Sequence, residues 1–457
     1  MIRVIRNGNV PVNRLPPEVL SRILEYRTCE RDLVATTHVC QHWRSTLISS
    51  SSLWNSFQFK SHHDLDRTLT YLQRSKLVPI DISIDINFSQ DLEVLTHFAP
   101  HITRTRSLVI QGFHVHAISL FCNPVPSLEY LENHEDSLHI PNNFLGQQAP
   151  SLRFVSFRGI YPTFETLFPL PSLTEFDLYL PKDVGPLRMS VLFRLFSDSP
   201  LLQKICINTP NQVTQDIPLD QIISLESLVE LDYFYNSGDR ILPHLKLPRL
   251  KQLRVSSSLE PGQIQRLAHI LPYDGHVLLA GATKMLCHSR GYTIRIDLSG
   301  DDGLDVSLSA NCTTEDRPSV DWFSDQTCIP FGQIEDLEVE CFSIDVYFPN
   351  VFALENLGIL RIVPWEPQFS QELLRLLYPD PGAGVPCRSL REIECVYRGD
   401  VGPHLRLLIS LAMERKRAGH RLELVRLELV QESLRHSVEE LREHVGEVRV
   451  ERWLQRT

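Results

Sequence analysis

No Gly-rich phosphate loop, Gly-x-Gly-x-x-Gly turn, Gly-x-Ser-x-Gly elbow or His-Glu-x-x-His helix occurs in these 457 residues. The commonest nucleotide-binding, hydrolase and zinc-protease designs are therefore excluded. Glycine itself is scarce, 20 residues against 30 prolines. The ten cysteines form no Cys-x-x-Cys pair and fit no Cys/His zinc spacing, so free, mostly buried thiols are expected. His114-x-His116 lacks a third ligand nearby, and no metal or cofactor is expected. The longest apolar run, around Val277–Ala280, falls far short of the ~18 residues of a spanning helix. The charged stretch from Met1 to Pro11 lacks the apolar core of a secretory signal. A soluble protein of the cytoplasm and/or nucleus is the expectation, with no membrane partner. An excess of positive charge is missing too. Lys plus Arg is 45 against 56 Asp plus Glu, a net charge of −11. That balance argues against general affinity for nucleic acid.

What is present begins with a short helical segment. Leu15-Pro16-Pro17-Glu18-Val19-Leu20 opens a helix, and Pro17 suits a first turn that needs no N–H. Val19 and Ile23 stand at i, i+4, as do Leu20 and Leu24, which gives one wide apolar face. A second short helix is expected over Asp32–His38, and a third carries Val39, Cys40, Trp43 and Leu47. Leu53-Trp54 closes the segment. Three helices in some 45 residues bury too little to be very stable alone. A partner chain that completes the apolar surface is the economical explanation.

The ordered points Leu15-Pro16-x-Glu18-Val19-Leu20, Ile23-Leu24, Asp32-Leu33, Val39-Cys40, Trp43-Arg44 and Leu53-Trp54 resemble an F-box. The resemblance spans roughly residues 10–58. It implies a helical hook that docks on the Skp-type adaptor of a Skp–cullin–F-box ubiquitin ligase. Leu15, Pro16, Leu20, Ile23 and Leu24 would face the adaptor or support that face. Val39, Cys40, Trp43 and Trp54 would mix internal packing with adaptor contact. The stretch Tyr26–Arg31 is more polar than the family's usual apolar continuation. A small helical cap on the rest of the protein is the competing reading.

From His62 onward a unit repeats. A helical piece and a Pro-marked turn lead into Leu-x-x-Leu-x-Leu. First positions are Leu128, Leu152, Leu173, Leu202, Leu228, Leu250, Ile334, Leu357, Leu390, Leu422 and Val445. They stand 24, 21, 29, 26, 22, 84, 23, 33, 32 and 23 residues apart. Leucine-rich repeats have periods of about 20–29 residues. One unit cannot bury its apolar side, so neighbours must stack. Intervening helices are expected over Leu92–Phe98, Val191–Phe196, Ile264–Ile270, Phe369–Leu377 and Leu405–Met413, with Gly419 at a C′ position. A further strand alternates through Ile80, Ile82, Ile84 and Ile86. Within the long gap, Tyr292–Leu298 and Leu304–Leu308 alternate around Gly300-Asp301-Asp302-Gly303, the pattern of a β-hairpin.

The array resembles the degenerate leucine-rich-repeat tail of many fungal F-box proteins. The expected fold is therefore α/β: a three-helix F-box over residues 1–58, then an irregular leucine-rich-repeat solenoid, or horseshoe, over 59–457. A hairpin-containing segment lies at about 272–330. In such strands the residues between apolar positions face the exposed, concave side. Here they are Glu175 and Asp177, Glu230 and Asp232, Asp336, Glu338 and Glu340, Glu392 and Glu394, interrupted by Lys204, Arg254, Arg361 and Arg426. A basic or mixed-charge protein client is expected on this face, with solvated charge as the competing explanation. Together these readings suggest a non-enzymatic substrate receptor that joins the adaptor, and through it a cullin–RING complex, to a protein client. The alternative is a repeat scaffold acting outside any cullin complex. Arg415-Lys416-Arg417 reads as helix-terminal cations rather than a nuclear signal.

Overall fold

The computed structural model describes residues 10–26, 30–60, 64–85, 96–111, 122–140, 144–162, 169–180, 187–209, 213–218, 220–236, 241–259, 264–266, 270–290, 293–312, 319–321, 331–341, 354–364, 367–380, 382, 384–396, 402–428 and 430–454. The chain forms two compact units, one of residues 1–185 with 190–204 and one of 186–189 with 205–457. Most of the Leu92–Phe98 helix, and both His114 and His116, lie outside the described residues. Among the described residues no helix is long and apolar enough to cross a membrane.

The first unit opens with helices α1 (Pro17–Glu25), α2 (Glu30–Thr36) and α3 (Gln41–Ser49). Pro17 occupies the first turn of α1, and the Pro16 carbonyl accepts the Leu20 N–H at 3.0 Å. A short 3-10 turn, Ser51–Trp54, then leads into strand β1 (Ser56–Phe59), helix α4 (Leu65–Arg74) and strand β2 (Ile80–Asp85). Strands β3 (Thr105–Gln111), β4 (Tyr130–Ile140), β5 (Phe154–Pro162) and β6 (Glu175–Tyr179) follow, with helix α5 (Met189–Ser197) beyond. All six strands pair in parallel and in sequence order. Alternation decides which face is buried: Ile80, Ile82 and Ile84 point inward while Asp81, Ser83 and Asp85 do not.

Each repeat enters its strand through one turn. The N–H of Leu128, Leu152, Leu173, Leu202, Leu228, Leu250, Ile334, Leu357 and Leu390 reaches the carbonyl three residues earlier, at 2.9–3.3 Å. Pro126, Pro150, Pro171, Pro200 and Pro248 sit at the second turn position, where a fixed φ near −65° is already correct. The prolines that outnumber glycine thus shape the strand entries. The first leucine of every repeat is buried, and the fourth position forms a column in register. Leu131 faces Val155, which faces Phe176.

The second unit continues the pattern with β7 (Lys204–Thr209), β8 (Glu230–Asn236) and β9 (Gln252–Leu259). Next come β10 (Lys284–Arg290), β11 (Thr293–Ser299) and β12 (Asp305–Cys312), and then β13 (Asp336–Cys341) and β14 (Ile359–Pro364). β15 (Glu392–Val396), β16 (Leu424–Glu428) and β17 (Glu447–Val450) complete it. Helices α6 (Gly275–Leu279), α7 (Pro367–Leu376), α8 (Gly402–Arg417) and α9 (Arg435–His444) connect strands. In α8 the stripe Leu405, Leu408, Ile409 and Ala412 is buried, and Gly419 beyond it has φ +84°. Arg415 is fully buried and donates to the Pro386 and Cys387 carbonyls, each at 2.8 Å. It is an internal anchor.

The long gap between repeats is filled by a meander. β11 runs antiparallel to both β10 and β12, as the hairpin pattern predicts for β11 and β12. β12 pairs in parallel with β9, and β10 in parallel with β13. Two reversals restore the original direction, so the sheet passes through the segment without a break. The buried column passes too: Leu253, Val306, Leu298, Met285 and Leu337 are successive register partners.

Two expectations are corrected. The helix expected over Ile264–Ile270 is instead a short strand over Ile264–Arg266 that pairs with Ser319–Asp321. No unit boundary falls at residue 58, where the expected division between residues 1–58 and 59–457 would lie. Trp54 is the reason. It is fully buried, donates to the Leu47 carbonyl of α3 at 2.8 Å and meets Tyr71 of α4 edge to face at 4.9 Å. The Arg74 guanidinium covers its other side at 4.3 Å. The N-terminal helices and the first strands share this residue, so they share a core.

Candidate functional site

The wide apolar face of α1 divides into two stripes. Leu20 is buried and Leu24 half-buried, on the side toward the unit's core. Val19 and Ile23 stand one turn apart on the outside, 43% and 45% exposed. Around them Pro16 is exposed and Leu15 half-buried, and Val12, Val34 and Val39 also face solvent. Trp43 is half-buried, and its Nε1–H donates to the Asn13 side chain, tying α3 to the turn before α1. Among the described residues, seven of the thirteen exposed large hydrophobics lie between Val10 and Val39. Exposed apolar residues concentrated this way mark an interaction surface. Of the residues expected at an adaptor, Pro16, Ile23 and Val39 are surface, Leu15, Leu24 and Trp43 are intermediate, and Leu20 and Trp54 support from within. Sequence reasoning did not single out Val19 and Val34 for this surface, because periodicity alone does not say which stripe faces inward.

Residues 12–60 match the F-box-like family. No curated protein matched the chain. Domains of this type generally bind Skp-type adaptors and are generally found in substrate receptors of Skp–cullin–F-box ligases. The F-box-like segment holds the whole exposed apolar cluster except Val10 and Pro11.

The second candidate surface is the solvent-facing side of the strands. In the second unit the expected acidic positions are there, but arginines on neighbouring strands match most of their charge. Arg361 on β14 lies 3.1 Å from Asp336, 3.9 Å from Glu338 and 3.1 Å from Glu394. Arg426 meets Glu392 at 2.7 Å, and Arg254 meets Asp232 at 3.6 Å. Glu230 is half-buried on β8. His288 and Glu340 pair at 2.9 Å across β10 and β13. Burial pushes the Glu338 carboxyl above its ordinary range, with Arg361 pulling the other way. This surface is an ion-pair network that satisfies itself, not the acidic ladder of the sequence reading.

The first unit presents different chemistry. One row in register runs Ser56, Asp81, Ser107, Tyr130, Phe154 and Glu175, and the next runs Gln58, Ser83, Val109, Glu132, Ser156 and Asp177. At the β1–β3 end these rows floor a cleft of about 810 Å³, walled on its other side by Glu25, Leu33 and Ser52. At the β4–β6 end Tyr130 and Phe154 stack at 4.3 Å with their planes 5° apart. The Tyr130 hydroxyl donates to Glu132 Oε2 at 2.6 Å, and His134 Nε2 lies 2.6 Å from Oε1 of the same carboxylate. Glu175 is exposed and Asp177 half-buried.

Proposed function

We propose that this chain is the substrate receptor of a Skp–cullin–F-box ubiquitin ligase. The F-box-like segment docks on a Skp-type adaptor, and the strands beyond it, read as degenerate leucine-rich repeats, hold a protein client on their open face. The observation that carries this reading is the exposed apolar cluster of residues 10–39, inside a segment of matching family. The chain itself contributes proximity. Catalysis belongs to the partner enzyme, and the receptor raises the client's local concentration and fixes its orientation. Assembly of this kind places the protein in the cytoplasm and/or nucleus.

The decisive variant is Val19→Asp with Ile23→Asp. Both side chains are solvent-facing, so stability is expected to stay within about 0.5 kcal/mol of the parent. Co-purification with a Skp-type adaptor is expected to fall at least about tenfold, the loss of ~1.4 kcal/mol. Undiminished association would overturn the docking face and leave a repeat scaffold outside cullin complexes as the better reading.

A further inference from the structure

We propose that the open face of β4–β6 is where the client docks, and that it receives an arginine side chain of the client on Tyr130, Phe154, Ser156 and Asp177. This rests on the receptor reading above and adds what the client must present. Two observations carry it. Ser156 lies between Glu132 and Asp177 in register, is fully buried, and its Oγ has no hydrogen-bond partner. Buried hydroxyls are nearly always paired, so an orphan on a binding-capable face marks a place for an incoming donor. Beside it, the stacked rings of Tyr130 and Phe154 stand half-buried on the same face.

The carboxylate completes the chemistry. Asp177 is half-buried, and burial pushes its pKa up although Lys204 and Arg158 pull it down. Neither cation settles its charge. Arg158 lies over the Tyr179 ring at 4.9 Å. A planar guanidinium is the group that stacks on an aromatic face while donating in a fork to a carboxylate and a hydroxyl. An ammonium has the charge but no plane to stack. The face of the second unit offers no comparable vacancy for charge, since Arg361 already lies among Asp336, Glu338 and Glu394.

The test uses the purified full-length chain and immobilised 12-residue peptide pools with random flanks. The fixed central residue is arginine, lysine or citrulline, the last being isosteric with arginine but uncharged. Arginine pools are expected to retain about tenfold more protein than citrulline pools, and clearly more than lysine pools. Asp177→Asn and Phe154→Ala are each expected to bring the arginine-to-citrulline ratio toward one. Arg361→Met is expected to leave it unchanged. Asp177→Asn is a near-isosteric change at a half-buried site and keeps the test valid if Phe154→Ala proves unstable. Equal retention of arginine and citrulline, equal retention of arginine and lysine, or an unchanged ratio in Asp177→Asn would each overturn the proposal. Adaptor association is measured on the same preparations. Its absence beside an intact arginine preference would overturn the receptor reading and leave this site standing.

Discussion

Leu20 and Ile23 lie in the same helix, and both belong to the family's expected docking pattern. Their environments are opposite: 1% exposed against 45%. Aspartate at Leu20 would bury a charge at a cost of several kcal/mol and unfold the helix it was meant to probe. Aspartate at Ile23 alters only the surface. Arg361 presents the same question in charged form. Its guanidinium bridges carboxylates on two flanking strands, Asp336 and Glu338 on one side and Glu394 on the other. Glu338 is already above its ordinary pKa because of burial. Removing the cation raises it further, and a carboxylate whose folded pKa exceeds its unfolded one destabilises the fold once pH passes above both. Arg361→Met is therefore expected to cost about 1 kcal/mol at pH 7, a modest figure because the side chains are partly exposed. The cost should fade as pH falls through the carboxylate range. Thermal melts at pH 7 and pH 4 check this, and a loss that is equal at both would show that packing, not charge, is the cause.

At the scale of elements, the meander of β10–β12 shows how strictly the sheet controls its members. The Gly300–Gly303 turn lies against the turn before β10. A Cβ added at Gly300 would stand 2.2 Å from the Gly281 carbonyl oxygen. The neighbour is backbone, so it cannot move without displacing a strand entry. Gly300→Ala is expected to cost roughly 2–3 kcal/mol, whereas alanine at exposed Gly303, which meets no atom but has φ +86°, should cost about 1 kcal/mol. Equal denaturant midpoints for the two variants would contradict the assigned packing. Much of this region was legible in the sequence: the strands β11 and β12, their turn, and nearly every fourth-position column. β10 was not. Its entry reads Ala282-x-x-Met285-x-Cys287, with no leucine at any marked position, yet Ala282 and Met285 are buried and Ala282 makes the standard turn to Leu279. The repeat survives there as burial and geometry after its leucines are gone. The Ile264–Ile270 helix failed for the opposite reason, since a few spaced apolar residues suit a short strand as well as a helix turn. Tyr130, Phe154 and Ser156 were invisible as a group, because only the register of three strands brings them side by side.

At the scale of the molecule, the N-terminal helices are better described as the first layer of a larger core than as a detachable hook. Their sequence suggested a segment ending near residue 58, which is where the family match also ends. Trp54 contradicts independence. Its ring is closed off by Tyr71 and Arg74 of α4, and Phe57 and Phe59 of β1 pack on Phe98. All of those covering residues lie beyond residue 58. A fragment of residues 1–58 would expose Trp54 and Phe57 on one side while keeping Val19 and Ile23 exposed on the other. It could bury too little apolar area to offset its chain entropy. This fragment is expected to be unfolded in isolation, with no cooperative melt by far-UV circular dichroism. A fragment of residues 1–204 includes every covering residue and the six parallel strands, and is expected to melt cooperatively and to retain adaptor association. Adaptor binding by 1–58 without a melt of its own would mean that the partner supplies the missing core, a case of folding coupled to binding. A sharp melt from 1–58 alone would show that Trp54 has enough neighbours without α4, and the division near residue 58 would then be physical after all.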